Sequence, residues 1–479
     1  MATPAPNDPV TYAEFSVVVD HMWTLLAAFL VFMMQAGFSI LESGMVRMKN
    51  VKNIMIKNVL DASVGAFMWW GFGYAFAYGG GNYEGGPANG FIGSKDFFFI
   101  DAYQKCAENS TATVTDGSCL YGLSVNEFSY GGWIFQWAFA ATAATITAGA
   151  VAERCTFVGY LVYTMALTGF IYPVVVHWVW SDYGWLSGSF DPSMGATGVN
   201  VAPGVADFAG SGVVHMVGGL ASLVGAIALG PRHGRFDADG KLVEFKNHNS
   251  AFIGLGTLLL WFGWYGFNPG STTALSGGNI FIAERVAVGT TLAAAGGGIG
   301  AMIMCLVASK YVDLAPVCNG ILSGLVAVCS GVDTAEPWGC FLIGFFAAWV
   351  QYWVAIGIQR LRIDDPLDAS AVHFGAGFFG LICGGLFGLP SNVDGDDCGA
   401  FFPGCGAKQL GVNLLGGLMI IVWVCGTAGI VFGSLRLAGV LRVPKEEEVA
   451  GLDKSLHGGP GVHMDSGRKF HEEPSGSDL

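Results

Sequence analysis

Apolar stretches of roughly 20 residues recur along the chain, separated by short polar or Gly-rich segments. A helix of that length crosses the hydrocarbon core of a bilayer, with every backbone group satisfied inside the segment. The pattern predicts about eleven such spans. They lie near 16–40, 54–78, 129–151, 156–180, 207–230, 250–268, 286–309, 314–331, 337–359, 369–389 and 409–437. The predicted fold class is an all-α integral membrane protein. A transmembrane domain covers 16–438, after an N-terminal segment 1–15 and before a polar tail 439–479.

Composition sharpens this picture. Hydrophobic residues make up 53% and charged residues 12% of the chain, where a soluble domain carries about 25% charged residues. The 73 glycines fall largely inside apolar runs such as "AAAGGGIGAM". In lipid, small residues let helix backbones approach closely. The net charge of -14 comes with no basic patch to bind nucleic acid. No nucleophile–base pair and no cluster of metal ligands at a useful spacing is visible, so the sequence predicts neither an enzyme nor a metal or cofactor protein.

Charge distribution sets an expected orientation. With the N-terminus outside, the inner segments hold Arg47, Lys49, Lys52, Arg154, Arg232, Arg235 and the basic residues of the tail, while few basic residues stay outside. Cys106 and Cys119 then share one outer loop and Cys398 and Cys405 another, on the side where disulfides form. Asn109 opens an Asn-Ser-Thr glycosylation signal in the first of these loops. Free cysteines and a chance sequon are the alternatives. Residues 1–15 lack a basic segment of the kind that opens a cleaved signal peptide.

A repeat carries the candidate chemistry. "DFAGSGVVHMVGG" from Asp207 and "DPLDASAVHFGAG" from Asp365 both place Asp eight residues before His, ahead of a small, Gly-rich run. His215 and His373 fall in the fifth and tenth spans. An odd offset of five spans inverts one copy across the bilayer, as in inverted-repeat transporters whose sites lie near the midplane. The two histidines are therefore expected to meet. Intramembrane ionisable residues normally face a pathway or a partner. Two neutral imidazoles in contact share one hydrogen bond and can relay a proton. Two separate core histidines are the plainer alternative. Asp207 and Asp365 or Asp368 open their spans, where a carboxylate caps a helix and suits its dipole; a direct role in cation handling is the other reading.

These stretches resemble the ammonium transporter family of Amt, Mep and Rhesus-type proteins. The match is carried by "DFAGSGVVHMVGGLASLVGAIALGPR" from Asp207, "FQWAFAATAATITAGAVAER" from Phe135, "YPVVVHWVW" from Tyr172 and "WFGWYGFNPGS" from Trp261. The chain looks most similar to the plant and algal branch. The resemblance implies a five-plus-five inverted repeat with an extra C-terminal helix, a homotrimer and a pore in each subunit. It places Phe139, Trp180 and Ser271 at an outer ammonium-recruitment site, flanked by Phe135 and Gln136. Phe139 and Phe267 would form a phenyl gate, with Asp207, His215 and His373 as pore and proton-relay residues and Asp365 and Asp368 in support. Trp178 and Trp185 compete with Trp180 for its place.

The implied activity is high-affinity-type, electrogenic uptake of ammonium and methylammonium at the plasma membrane. An electroneutral ammonia or gas channel and an ammonium sensor are the alternatives. The polar tail is disordered by default. Its "GLDKSLHGG" is similar to a regulatory motif that contacts the neighbouring subunit, and it makes Ser455 a phosphorylation candidate for a cytosolic kinase.

Overall fold

A computed structural model of the chain describes residues 11–80, 88–99, 104–105, 119–120, 123–124, 130–190, 196–197, 200–393 and 398–461. Within them the membrane domain is helical. We number its helices α1 (Tyr12–Met45), α2 (51–78), α3 (Tyr130–Ala150), α4 (Phe157–Trp180), α5 (Ser211–Leu229), α6 (Ser250–Phe267), α7 (Asn279–Ala308), α8 (Leu314–Val328), α9 (Pro337–Arg360), α10 (Ser370–Phe387) and α11 (Lys408–Leu437). Eight helices are long and apolar enough to cross a membrane by length and composition; α8, with 15 residues, is shorter. Two-residue strands appear only between helices.

The helix ends differ from the predicted limits in an instructive way. α1 runs to Met45 rather than 40. α7 starts at Asn279, seven residues before the predicted limit, and continues through Glu284 and Arg285. Charged residues close an apolar window but do not break a helix, whose backbone bonds form regardless of side-chain polarity. Arg285 donates to the carbonyl of Asp333, which pairs one of these charges.

α1 packs along α6, while α7, α8 and α9 pack on one another. α5 and α10 lie between these groups and touch each other. Their approach needs glycine at matched places. A side chain at Gly219 would run into the backbone of His373 and Phe374, and one at Gly377 would meet the Ser211 carbonyl at 2.6 Å. Four helices contain a π-helical turn: Trp69–Gly73 in α2, Leu167–Ile171 in α4, Ser211–Met216 in α5 and Ser370–Gly375 in α10. Such wider turns are rare and are frequently found at functional sites.

Candidate functional site

Both histidines sit in π-turns. In α5 the turn is sealed by Asp207, whose Oδ2 accepts from the backbone N–H of Gly212 at 2.9 Å and Val213 at 2.8 Å. In α10 the Oδ2 of Asp365 accepts from the N–H of Ser370 at 2.7 Å. Each cap leaves its other oxygen, Oδ1, buried without a partner. Asp365 and not Asp368 therefore occupies the frame of Asp207. Asp368 instead lines a separate cavity, beside Arg232 and Arg235.

The caps bring His215 and His373 together. Their Nδ1 atoms are 3.2 Å apart, and the rings lie 20° from parallel. One Nδ1 must donate and the other accept. His215 is fully buried and His373 is 5% exposed, and the Nε2 of His215 has no partner. His215 stacks on Trp264 at 5.3 Å and touches Phe267 at the same ring distance. The Trp264 indole donates to Sγ of Cys329, which fixes that ring.

Directly beyond Phe267 the aromatic column continues. Phe267 and Phe139 stack at 4.0 Å, and Phe139 lies 4.6 Å from Phe135. Above them is a cavity of about 450 Å³, lined by Phe135, Gln136, Phe139, Trp180, Phe208 and Ser271 among others. Trp180 packs edge-on against Phe139 at 6.0 Å, and its indole donates to the carbonyl of Asp207 at 2.8 Å. Trp178 points elsewhere, donating to the carbonyl of Phe91. The Ser271 hydroxyl donates to the Phe267 carbonyl at 2.8 Å, so its oxygen lone pairs are free to accept.

The opposite end of the helices is ionic. Arg232 pairs with Asp364 at 2.8 Å and with Glu153 at 3.1 Å, and Arg47 also pairs with Glu153. Burial alone would raise the Asp364 carboxyl, but hydrogen bonds and charge from Arg232 outweigh it and hold the group well below the usual carboxylate range. The tail docks here. We number its helices α12 (Lys445–Ala450) and α13 (Leu452–Leu456). Glu448 binds Arg442 at 2.8 Å and the N–H of His233 at 2.7 Å. Asp453 accepts from the backbone N–H of Lys52 and Asn53, at 3.0 and 2.8 Å, and so caps the start of α2.

Residues 22–462 match the family model described as the Ammonium Transporter Family. The chain belongs to the ammonium transporter family. It is 41% identical over 458 residues to ammonium transporter 1 member 3 of Solanum lycopersicum, covering 92% of each chain. It is likewise 41% identical over 431 residues to ammonium transporter 1 member 2 of Arabidopsis thaliana, covering 87% of this chain and 78% of the relative. Among solved structures it is similar to a sensor Amt protein, at TM-score 0.78 and 30% identity, covering 92% of this chain and 99% of that one. Candida albicans Mep2 follows at TM-score 0.74 and 28% identity, covering 91% of this chain and 89% of that one. The chain is thus a multi-pass membrane protein of a transporter family.

In this ammonium transporter family member, Phe135, Gln136, Phe139, Trp180 and Ser271 line one cavity, and Phe139, Phe267, His215 and His373 follow in sequence below it. Asp207 underlies them as a cap. Tyr78 and Thr273 also line the cavity above Phe139 and were not singled out by the sequence; an isolated Tyr or Thr carries no signal that sets it apart from a packing residue. Cys398 and Cys405 form a disulfide, with Cα atoms 5.1 Å apart. Cys106, Asn109 and the side chain of Cys119 lie outside the described residues. The tail differs from its compositional default: residues 445–450 and 452–456 are helical and docked on the same chain, where Glu448, Leu452 and Asp453 are buried.

Proposed function

We propose that this protein carries ammonium, and methylammonium, into the cell as an electrogenic transporter. The observation that carries the reading is the unbroken column from the outer cavity through Phe139 and Phe267 to the His215–His373 pair. A bare ammonium ion in low dielectric costs many kcal/mol. Phe139 and Trp180 offer ring faces worth on the order of 0.5–2 kcal/mol each to a cation. Ser271 accepts one of its hydrogen bonds. The stacked phenyl rings leave no polar partner below that cavity, so ammonium gives up a proton at this level. Ammonia then passes the histidines, and the proton follows the shared Nδ1 contact. Potassium has no proton to lose and donates no hydrogen bond, so the same step rejects it.

The N-terminus is placed outside and the tail in the cytosol. The plasma membrane is the expected location and the homotrimer the expected assembly, with a pore in each subunit. Exposed apolar residues on α1 and α6, such as Phe29 and Phe262, suit burial in lipid or against another subunit. Ser455 is exposed at the docked tail, two residues after the capping Asp453. A phosphate there adds about -1.5 to -2 charges beside that carboxylate and favours release of the tail. The docked tail also supports the sensor reading as a second possibility, since its position reports on the inner mouth.

The deciding experiment is charge movement in liposomes holding the purified protein. Ammonium should evoke a current and potassium should not. Internal alkalinisation without current would replace this reading with an electroneutral ammonia channel, and neither signal would favour the sensor.

A further inference from the structure

A group of ionisable side chains beside the histidine pair is left unused by the pathway above. Below His373 a cavity of about 20 Å³ is lined by Phe38, Glu42, Asn319, Val372 and His373 among others. That volume holds about one water molecule. Glu42 is 2% exposed, and its Oε2 has no hydrogen-bond partner. Met45 and Asn319 line both this cavity and the wide inner one of about 470 Å³. Glu42 therefore stands between the histidines and the inner mouth.

Behind Glu42, α2 supplies Lys57 and Asp61, both fully buried. The Lys57 ammonium donates to the Cys155 carbonyl at 3.3 Å and lies over the Tyr160 ring at 5.1 Å. Asp61 accepts from Thr164 at 3.0 Å through Oδ1, and its Oδ2 has no partner. Tyr160 and Tyr163 of α4 close the group. Arg154, next along, spends its guanidinium on the carbonyls of Ala150, Ala152, Gly230 and Asp364, with the Asp364 charge to offset its own. What remains is two carboxyl groups and one ammonium, shut away from water. An excess buried charge is expensive at this depth. The set is neutral when one carboxyl carries a proton, so it has a standing place for one exchangeable proton.

We infer that Glu42 is the proton acceptor on the inner side of the histidine pair, taking up through one water the proton that ammonium releases and passing it to the inner mouth. One proton enters at the free Nε2 of His215, the shared proton moves from one Nδ1 to the other, and one leaves from Nε2 of His373. Each ring gains one N–H bond and loses one, so the pair stays neutral. At the end an O–H bond forms on Glu42 and ammonia keeps the electron pair of its broken N–H bond. Lys57 and Asp61 act as positioning residues that set the charge balance. The inference rests on the electrogenic reading.

The test is the ammonium-evoked liposome current of Glu42→Gln and Glu42→Asp beside the native protein, each shown to be folded by its thermal midpoint. Loss of a proton acceptor lowers the Glu42→Gln current at least about tenfold, and Glu42→Asp restores most of it. A folded Glu42→Gln with native current, or an Asp variant no better than Gln, overturns the inference. Native protein that passes no current overturns the electrogenic reading instead. If the variants do not fold, infrared difference spectra of the native protein decide. Ammonium should produce a deuterium-sensitive carboxylic-acid signal, and its absence overturns the proposal.

Discussion

In the frame 207–219 the cap carboxylate sits beneath an aromatic cavity, and its backbone carbonyl holds Trp180. In the frame 365–377 the cap carboxylate follows Asp364, which anchors Arg232 and an ionic network. Between those ends the two frames are alike: an Asp cap, a π-turn, a histidine and, four residues on, a glycine that admits the other helix. The duplicated backbone sets the distance between the imidazoles. Residues from outside the repeat give each end its chemistry. The same local structure can thus sit beside an aromatic cavity at one end and an ionic anchor at the other.

The likeness breaks first at its glycines. Gly219→Leu forces a side chain into the backbone of α10, and overpacking costs about 1–3 kcal/mol even against yielding neighbours. We expect ammonium uptake to be abolished and the thermal midpoint to fall. Gly426→Leu, where nothing lies within 4 Å, should change neither.

Next in size is the anchoring half. Arg232→Gln strips a buried partner from Asp364 and Glu153, a loss of about 3–5 kcal/mol by the usual penalty for an orphaned buried charge. The depressed Asp364 carboxyl contributes stability that is fully present above its ordinary value of about 4 and is lost as pH falls through the folded value. Thermal midpoints of the variant should therefore start lower but fall less steeply below about pH 4 than those of the native protein, which alone has the full Asp364 contribution to lose. Equal acid profiles would detach Asp364 from this role.

A finer contrast separates cap from charge. Asparagine keeps a side-chain oxygen for the cap and ranks with aspartate as a capping residue. Asp365→Asn should then transport nearly as well as the native protein, while Asp207→Asn should lose most of its ammonium current because the charge beneath the cavity is gone. Equal behaviour of the two would reduce Asp207 to a cap. The smallest effect is expected for Trp180→Phe, which deletes one hydrogen bond worth about 1 kcal/mol. Its half-saturation for ammonium should rise about fivefold, with little change in the thermal midpoint.

The histidine pair was legible because a spacing of Asp to His occurs twice and the two copies are offset by an odd number of helices. The choice of Trp180 over Trp178 was not, since three-dimensional direction decides it: one indole reaches Asp207 and the other Phe91. Glu42 was hidden for a different reason. Its charge ended the apolar window at residue 40, so "LESGM" read as the start of an inner loop. The helix runs on to Met45 and draws Glu42 inside. The arginines that set the orientation were read only as charges; Glu153 and Asp364, which pair with them, lie far away in sequence. The tail read as disordered because its partners, Asn50 and the first N–H groups of α2, are likewise invisible to local composition.

That last contact has a consequence for biosynthesis. Asp453 seals the first turn of α2 from 401 residues downstream. At about 5–20 residues per second, a ribosome needs roughly 20–80 s to cover that distance. Throughout that interval the open end of α2 has no native partner. A chain released early would keep it open for good.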